Sequence, residues 1–140
     1  MRCHRGCHGT CPPARAHVLS LVSPTAQRPM FGPAATIAFV PYRDDFTDAE
    51  TAGFAGWFYR VVGDAPAGAV LVLSGGGYPD VSHGGRTKMF RPHNHELAGL
   101  LRGGRLRGLD ELARYSFATW CTGEATRAGD DTGRGSAGER

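Results

Sequence analysis

The sequence holds a single lysine, Lys88, and it has no acidic residue before Asp44 and no long apolar run. A nucleic-acid-binding face needs Lys and Arg clustered along one element with base-reading or stacking partners, and the lysine scarcity argues against one. Arg2, Arg5, Arg15 and Arg28, which supply much of the formal net charge of +3, form a basic tail instead. A membrane-spanning helix needs roughly 18 or more consecutive apolar residues, which no window supplies. Val18–Val22 is too short for a secretory signal core, so the cytoplasm is the expected compartment.

Cysteine is scarce after the first residues. Cys3, Cys7 and Cys11 recur every fourth position with His4 and His8 between them, ligand types that suit zinc or an iron–sulfur cluster. The spacing is wider than the usual Cys-x-x-Cys pair, and Gly6, Gly9, Pro12 and Pro13 surround it, so the stretch reads as an unstructured leader, with a metal site as the alternative. Cys121 reads as a small core hydrophobe. A chain of 140 residues supports one domain burying about two thirds of its unfolded surface. Large apolar residues thin out at both ends, which divides the chain into a leader over 1–30, a domain over 31–121 and a solvated tail over 122–140.

Within the domain, Ala34–Pro41 has the composition of a strand that a proline stops. Thr47-Asp-Ala-Glu50 fits a capping box, and behind it Phe54, Trp57, Phe58, Val61 and Val62 fall on one helical stripe, predicting a helix that packs through its aromatics. Ala69–Leu73 is a continuous apolar run, as in a strand buried on both faces, and Gly75-Gly-Gly77 after it permits close backbone approach. A helix from Gly85 to about Arg91 should end at Pro92, whose ring clashes with the carbonyl four residues back. Leu97–Leu101 reads as a third strand, Leu109–Arg114 as a helical turn and Phe117–Cys121 as a fourth strand. Strands alternating with helices in this order predict an α/β architecture.

Two segments carry more than fold. Val70-Leu-Val-Leu-Ser-Gly-Gly-Gly77 and Gly99-Leu-Leu-Arg-Gly-Gly-Arg-Leu-Arg107-Gly108-Leu-Asp-Glu111 together resemble the RraA-like family, which includes 4-hydroxy-4-methyl-2-oxoglutarate aldolases and the regulator of RNase E activity. In that family a strand runs into Asp-Gly, two variable residues and Arg-Asp, with an acidic residue closing the motif. Here the Asp-Gly pair reads Gly103-Gly104 and the Arg-Asp pair reads Arg107-Gly108.

The resemblance implies a swivelling α/β/β sandwich, incomplete at both ends, that assembles as a homotrimer with sites between subunits. It implies a metal-dependent carbon–carbon lyase or oxaloacetate decarboxylase releasing pyruvate, with magnesium as the divalent cation. Carried over by position, the substrate-binding turn is Gly85, Arg86, Thr87 and Lys88, and the catalytic clamp on a keto acid such as pyruvate or oxaloacetate is Arg107. A helix start offers unpaired amides to an anion, and a guanidinium grips a carboxylate through two parallel bonds. The metal position falls on Gly108, which lacks a ligand atom; Asp110 and Glu111 match the acidic end of the motif, and a family acidic position falls on Arg86. Loss of the metal aspartate predicts impaired lyase chemistry; the alternative is a non-catalytic regulator that binds a ribonuclease partner. His83, His93 and His95 could rebuild a metal site, since His93-Asn94-His95 sets two imidazoles on one side of an extended segment.

Overall fold

The computed structural model describes residues 20–39, 54–74 and 80–125. Four parallel strands, β1 (Ala34–Ala38), β2 (Val70–Ser74), β3 (Gly99–Gly103) and β5 (Ala118–Trp120), lie side by side in that order. Between them run helices α1 (Phe54–Asp64), α2 (Arg86–Asn94) and the single turn α3 (Leu109–Leu112). α1 contacts α2 and α2 contacts α3, the succession that same-handed crossovers along a parallel sheet produce. A second, two-stranded parallel sheet joins β4 (Arg105–Leu106) to β6 (Gly123–Glu124), and Ser82 bridges to Arg105 beside it.

The register explains the core. Leu71 pairs with Leu100 and Leu73 with Arg102, while Leu100 pairs with Thr119, so these side chains share one sheet face and are all fully buried. Phe58, Val62, Met89, Leu106, Leu112 and Phe117 close over that face. At about 25 cal/mol per Å² of apolar surface removed from water, such aromatic and aliphatic burial is the main term opposing chain entropy. On the opposite face Thr36, Val72, Leu101 and Trp120 form one cross-strand row that is only partly covered. No helix among the described residues is long and apolar enough to cross a membrane.

Several expected boundaries move. The α1 stripe holds for Phe58 and Val62, but Trp57 points outward at 45% exposure, because it lies about 100° of helical turn from Phe58. The capping box of Thr47–Glu50, the end of the first strand at Val40 and Pro41, and Gly75–Gly77 lie outside the described residues. α2 runs through Pro92 to Asn94: the proline sits buried in the last turn, and the amides of His95 and Leu97 still reach the carbonyls of Arg91 and Pro92. The third strand starts two residues later than expected. Leu97 plugs the core behind the helix end, Glu96 takes a positive φ of 54°, and Ala98 first reaches the sheet by donating to the carbonyl of Ala69.

Both ends of the domain extend further than the composition implied. Residues 20–30, read as leader, pack on the sheet: Val22 and Cys121 exchange backbone bonds, and the amide of Thr119 donates to Thr25 Oγ1 at 2.7 Å. Arg28 donates to the carbonyls of Ala113, Tyr115 and Phe117, tying this segment to the loop before β5. β6 falls in the stretch read as tail, held by the amide of Ala125 donating to Leu106. Residues 1–19, with the three leader cysteines, are outside the described residues.

Candidate functional site

The start of α2 and the loop leaving β4 meet. The amide of Arg107 donates to the carbonyl of Gly84 at 3.0 Å. A Cβ added at Gly85 would lie 3.4 Å from Arg107 Cβ and 3.8 Å from its Nε, so the arginine stem runs directly over that glycine. Gly85 is the N-cap of α2, extended and without a side-chain cap, and the first turn has no acidic residue. Arg86 and Thr87 are exposed and Lys88 is half-buried, giving the helix start a cationic character that adds to its dipole. Of the residues assigned to the substrate-binding turn, Gly85 and Arg107 are in direct apposition.

Gly108 follows with φ 66° and ψ 53°, a left-handed conformation, and serves as the N-cap of α3. Its missing side chain leaves a space that Glu111 fills: Glu111 Oε2 lies 3.1 Å from where a Cβ on Gly108 would sit. The other oxygen of Glu111 is 3.7 Å from Arg86 Nη1, an exposed ion pair that joins α3 to α2. Asp110 points to solvent. Two residues not assigned to the site from the sequence complete the frame. Glu124 Oε1 accepts from the amide of Leu109 at 3.1 Å, and the Tyr115 hydroxyl donates to the Arg86 carbonyl at 2.9 Å. Glu124 lies in Gly123–Gly129, a stretch that shares in the family resemblance but to which no site role was assigned.

This donor set does not suit a divalent cation. Gly108 offers no side-chain ligand, Glu111 is engaged by a guanidinium, and no three His, Cys, Asp or Glu side chains converge among the described residues. The histidines also diverge. His93 Nδ1 is 3.0 Å from Ser116 Oγ and its ring stacks on Tyr115 at 5.0 Å, whereas His83 is fully buried beneath Phe39, ring centroids 4.4 Å apart.

His83 belongs to a buried polar cluster behind the site. Arg102, fully buried on the core face of β3, donates to the Leu73 carbonyl at 3.3 Å and to His83 Nδ1, and its guanidinium lies 5.7 Å from the Phe39 ring centroid. Burial first, then the charges of Arg102 and Lys88, pull the His83 pKa from 6.5 down to about 4, so the imidazole is neutral and its Nδ1 accepts. Burial lowers Arg102 to about 10, which leaves it charged at neutral pH. Its Nε has no acceptor among the described residues. Cys121, whose thiol burial pushes up, donates to the Gly123 carbonyl at 3.2 Å and stays protonated. A shallow hollow of about 640 Å³ on the other sheet face is lined by Leu21, Met30, Leu101 and Trp120 among others, and none of the site residues borders it.

Fold and site define an α/β domain in which an uncapped helix start and an arginine from the following loop form one cationic corner. The chain belongs to the RraA-like family, whose Aldolase/RraA model matches residues 13–140. Among solved structures it is similar to Streptomyces coelicolor RraAS2, described as an unusual member of the RNase ES inhibitor RraA protein family, at 25% identity and a TM-score of 0.55, covering 69% of this chain and 44% of that one. It also resembles the RNA-processing inhibitor RraA from Thermus thermophilis, at 17% identity and a TM-score of 0.61, over 79% of this chain and 60% of that one. A third similar fold is described as an S-adenosylmethionine: 2-dimethylmenaquinone methyltransferase from Geobacillus kaustophilus, at 19% identity and a TM-score of 0.56, over 84% and 61% of the two chains. The chain therefore spans less than two thirds of each of these proteins. No curated protein is significantly similar in sequence.

Proposed function

We propose that this chain binds the carboxylate of a small keto acid, such as pyruvate or oxaloacetate, at the start of α2, with Arg107 as its clamp. The observation that supports this most is the Arg107 stem lying over Gly85 with its own amide fixed to Gly84, which sets an arginine beside a helix start that has no side-chain cap. Guanidinium and amides each bind an anion, and Arg86 and Lys88 add positive potential without adding a ligand for a metal. The aldolase chemistry of the family uses a divalent cation to polarise the keto oxygen and stabilise the enolate left by bond cleavage. Because the donors around Gly108 do not suit such a cation, binding here is retained and cleavage of 4-hydroxy-4-methyl-2-oxoglutarate or oxaloacetate is weak. Titration calorimetry with pyruvate should show binding that Arg107→Ala removes. Equal heats from the two proteins, or none from either, would reject the reading. Fast magnesium-dependent pyruvate release would reject the weak-cleavage half of it, and no release above a heat-killed control would reject any lyase activity.

A second reading, a non-catalytic regulator that acts by binding a ribonuclease, is favoured by one observation: Glu111 occupies the space of the missing side chain at 108 and is paired with Arg86, which stabilises a metal-free arrangement. The proteins of similar fold include two named as inhibitors of RNA processing or of an RNase. Slower RNA cleavage by a purified ribonuclease in the presence of this chain, with no pyruvate binding, separates this from the first reading. The family's homotrimer is part of either proposal and is checked by sedimentation equilibrium.

A further inference from the structure

Given the keto-acid corner of Arg107 and α2, on which this rests, we propose that Arg102 is a positioning residue for it: through His83 it fixes the turn Ser82–Gly85 that carries both the helix start and the anchor of Arg107. Arg102 and His83 are fully buried, and Arg102 has no carboxylate partner among the described residues. A buried cation without a counter-charge destabilises a fold, and an apolar side chain of similar volume would fill the same space without that penalty. Leu100, two residues earlier on the same face of β3, is what packing alone selects. Where a side chain breaks the packing rule in this way, the compensating gain belongs at a functional site.

The link to the corner runs along the chain from His83. Arg102 donates from Nη1 to the carbonyl of Leu73, at the end of β2, and from Nη2 to His83 Nδ1. The imidazole also stacks on Phe39, ring centroids 4.4 Å apart, so it is held both at its edge and on its face. On the other side of the turn, the buried Ser82 hydroxyl donates to the Gly84 carbonyl at 2.8 Å, and the same carbonyl accepts the amide of Arg107 at 3.0 Å. Gly84 and Gly85 have no side chains with which to hold themselves in place, which leaves that task to the buried pair before them. A displaced imidazole shifts the next peptide, hence the acceptor that fixes Arg107, and one residue further the N-cap of α2 at Gly85.

Charge adds to position. Leu73 and Arg102 lie at the carboxyl ends of β2 and β3, the end of a parallel sheet at which α/β domains bind their ligands. Neither Arg102 nor Arg107 is paired with a carboxylate among the described residues. Salt screens a charge inside the fold much less than one at the surface, so the Arg102 guanidinium favours an anion at the corner without touching it.

The test is titration calorimetry of the full chain with pyruvate, with urea unfolding of each variant measured beside it. Arg102→Met should bind at least about threefold more weakly than the parent while folding as stably or more so, a split that a residue serving the core alone does not produce. Arg102→Lys, which keeps the charge, should recover part of the loss. His83→Leu should also weaken binding, and the double variant with Arg102→Met should be no weaker than Arg102→Met alone, because the two side chains act as one unit. His83→Gln, still an acceptor for Arg102, should lose less than His83→Leu. Losses that add in the double variant, or an affinity loss that tracks lost stability across the variants, would overturn the proposal. Parent-like affinity in Arg102→Met beside lost affinity in Arg107→Ala rejects this role of Arg102 alone, whereas a parent that binds no pyruvate rejects the corner and this role with it.

Discussion

Glu111 and Gly108 share one space: the carboxylate of the first reaches to 3.1 Å from the point where the side chain of the second would begin. Restoring an aspartate at 108 therefore has two separable effects. Gly108 is left-handed, and an L-residue there costs about 1 kcal/mol, aspartate being among the better tolerated. Gly108→Asp should be less stable than the parent by about that amount in chelator, measured by urea unfolding, and should gain a manganese-dependent rise in melting temperature that the parent lacks. Gly108→Ala should show the backbone penalty without the metal response. A metal response in the parent that Glu111→Gln abolishes would mean that Glu111 already serves as a ligand.

Gly104 exists to house Arg102. A Cβ on Gly104 would lie 3.0 to 3.2 Å from three atoms of the buried guanidinium, too close on all of them at once. Gly104→Ala should lose about 1–3 kcal/mol by overpacking. Arg102→Met should be near neutral or stabilising, because it removes a buried charge with no carboxylate partner among the described residues. In the double variant most of the Gly104→Ala loss should disappear. Additive unfolding free energies would show that the two residues do not compete for space.

The elements were legible where the hydrophobic period was strong. Ala69–Leu73 predicted a strand because a short apolar run between turn signals fits one, and β2 lies in the middle of the sheet, although Val72 on its second face is only partly covered. The strand at β3 was misplaced by two residues, since Leu97 looks like its first apolar residue but closes the helix end, a distinction that hydropathy alone does not carry. Trp57 was placed inward because an aromatic was weighed above its angle on the helix. At the site, Arg107 and Gly85 are assigned through the motif, and the two lie side by side. Glu124 and Tyr115 escaped because each acts through one long-range hydrogen bond that no local spacing encodes. Arg102 could have been noticed: Leu100 and Arg102 lie two apart on a strand, and period two sends both into the core.

Glu124 sets the start of α3, and through it the turn that carries Arg107. Its carboxylate accepts from the Leu109 amide at 3.1 Å, standing in for the N-cap side chain that Gly108 lacks. Glu124→Ala should lower stability by about 1 kcal/mol, the usual loss of a cap, while Glu124→Gln keeps an acceptor and most of that stability. If the turn positions Arg107, the alanine variant should also bind pyruvate more weakly in calorimetry, and the glutamine variant should not. Unchanged affinity in both would confine Glu124 to a structural role.

The last expectation concerns acid. His83 is neutral when folded because burial, Arg102 and Lys88 all oppose a second positive charge, and its pKa is about 4 against an ordinary 6.5. Above pH 6.5 the imidazole is neutral in both folded and unfolded chains and adds no pH dependence. Between pH 6.5 and about 4 the unfolded chain takes up a proton that the folded chain refuses, so stability must fall as the pH is lowered through this window. The full loss is about 3 kcal/mol, reached near the folded pKa, below which this residue contributes no further slope. His83→Gln keeps an acceptor for Arg102 but does not titrate, so urea midpoints should be flatter for this variant than for the parent across the window. Parallel pH profiles for the two proteins would show that protonation of His83 is not resisted, and that the imidazole is open to water or to an anion that neutralises it.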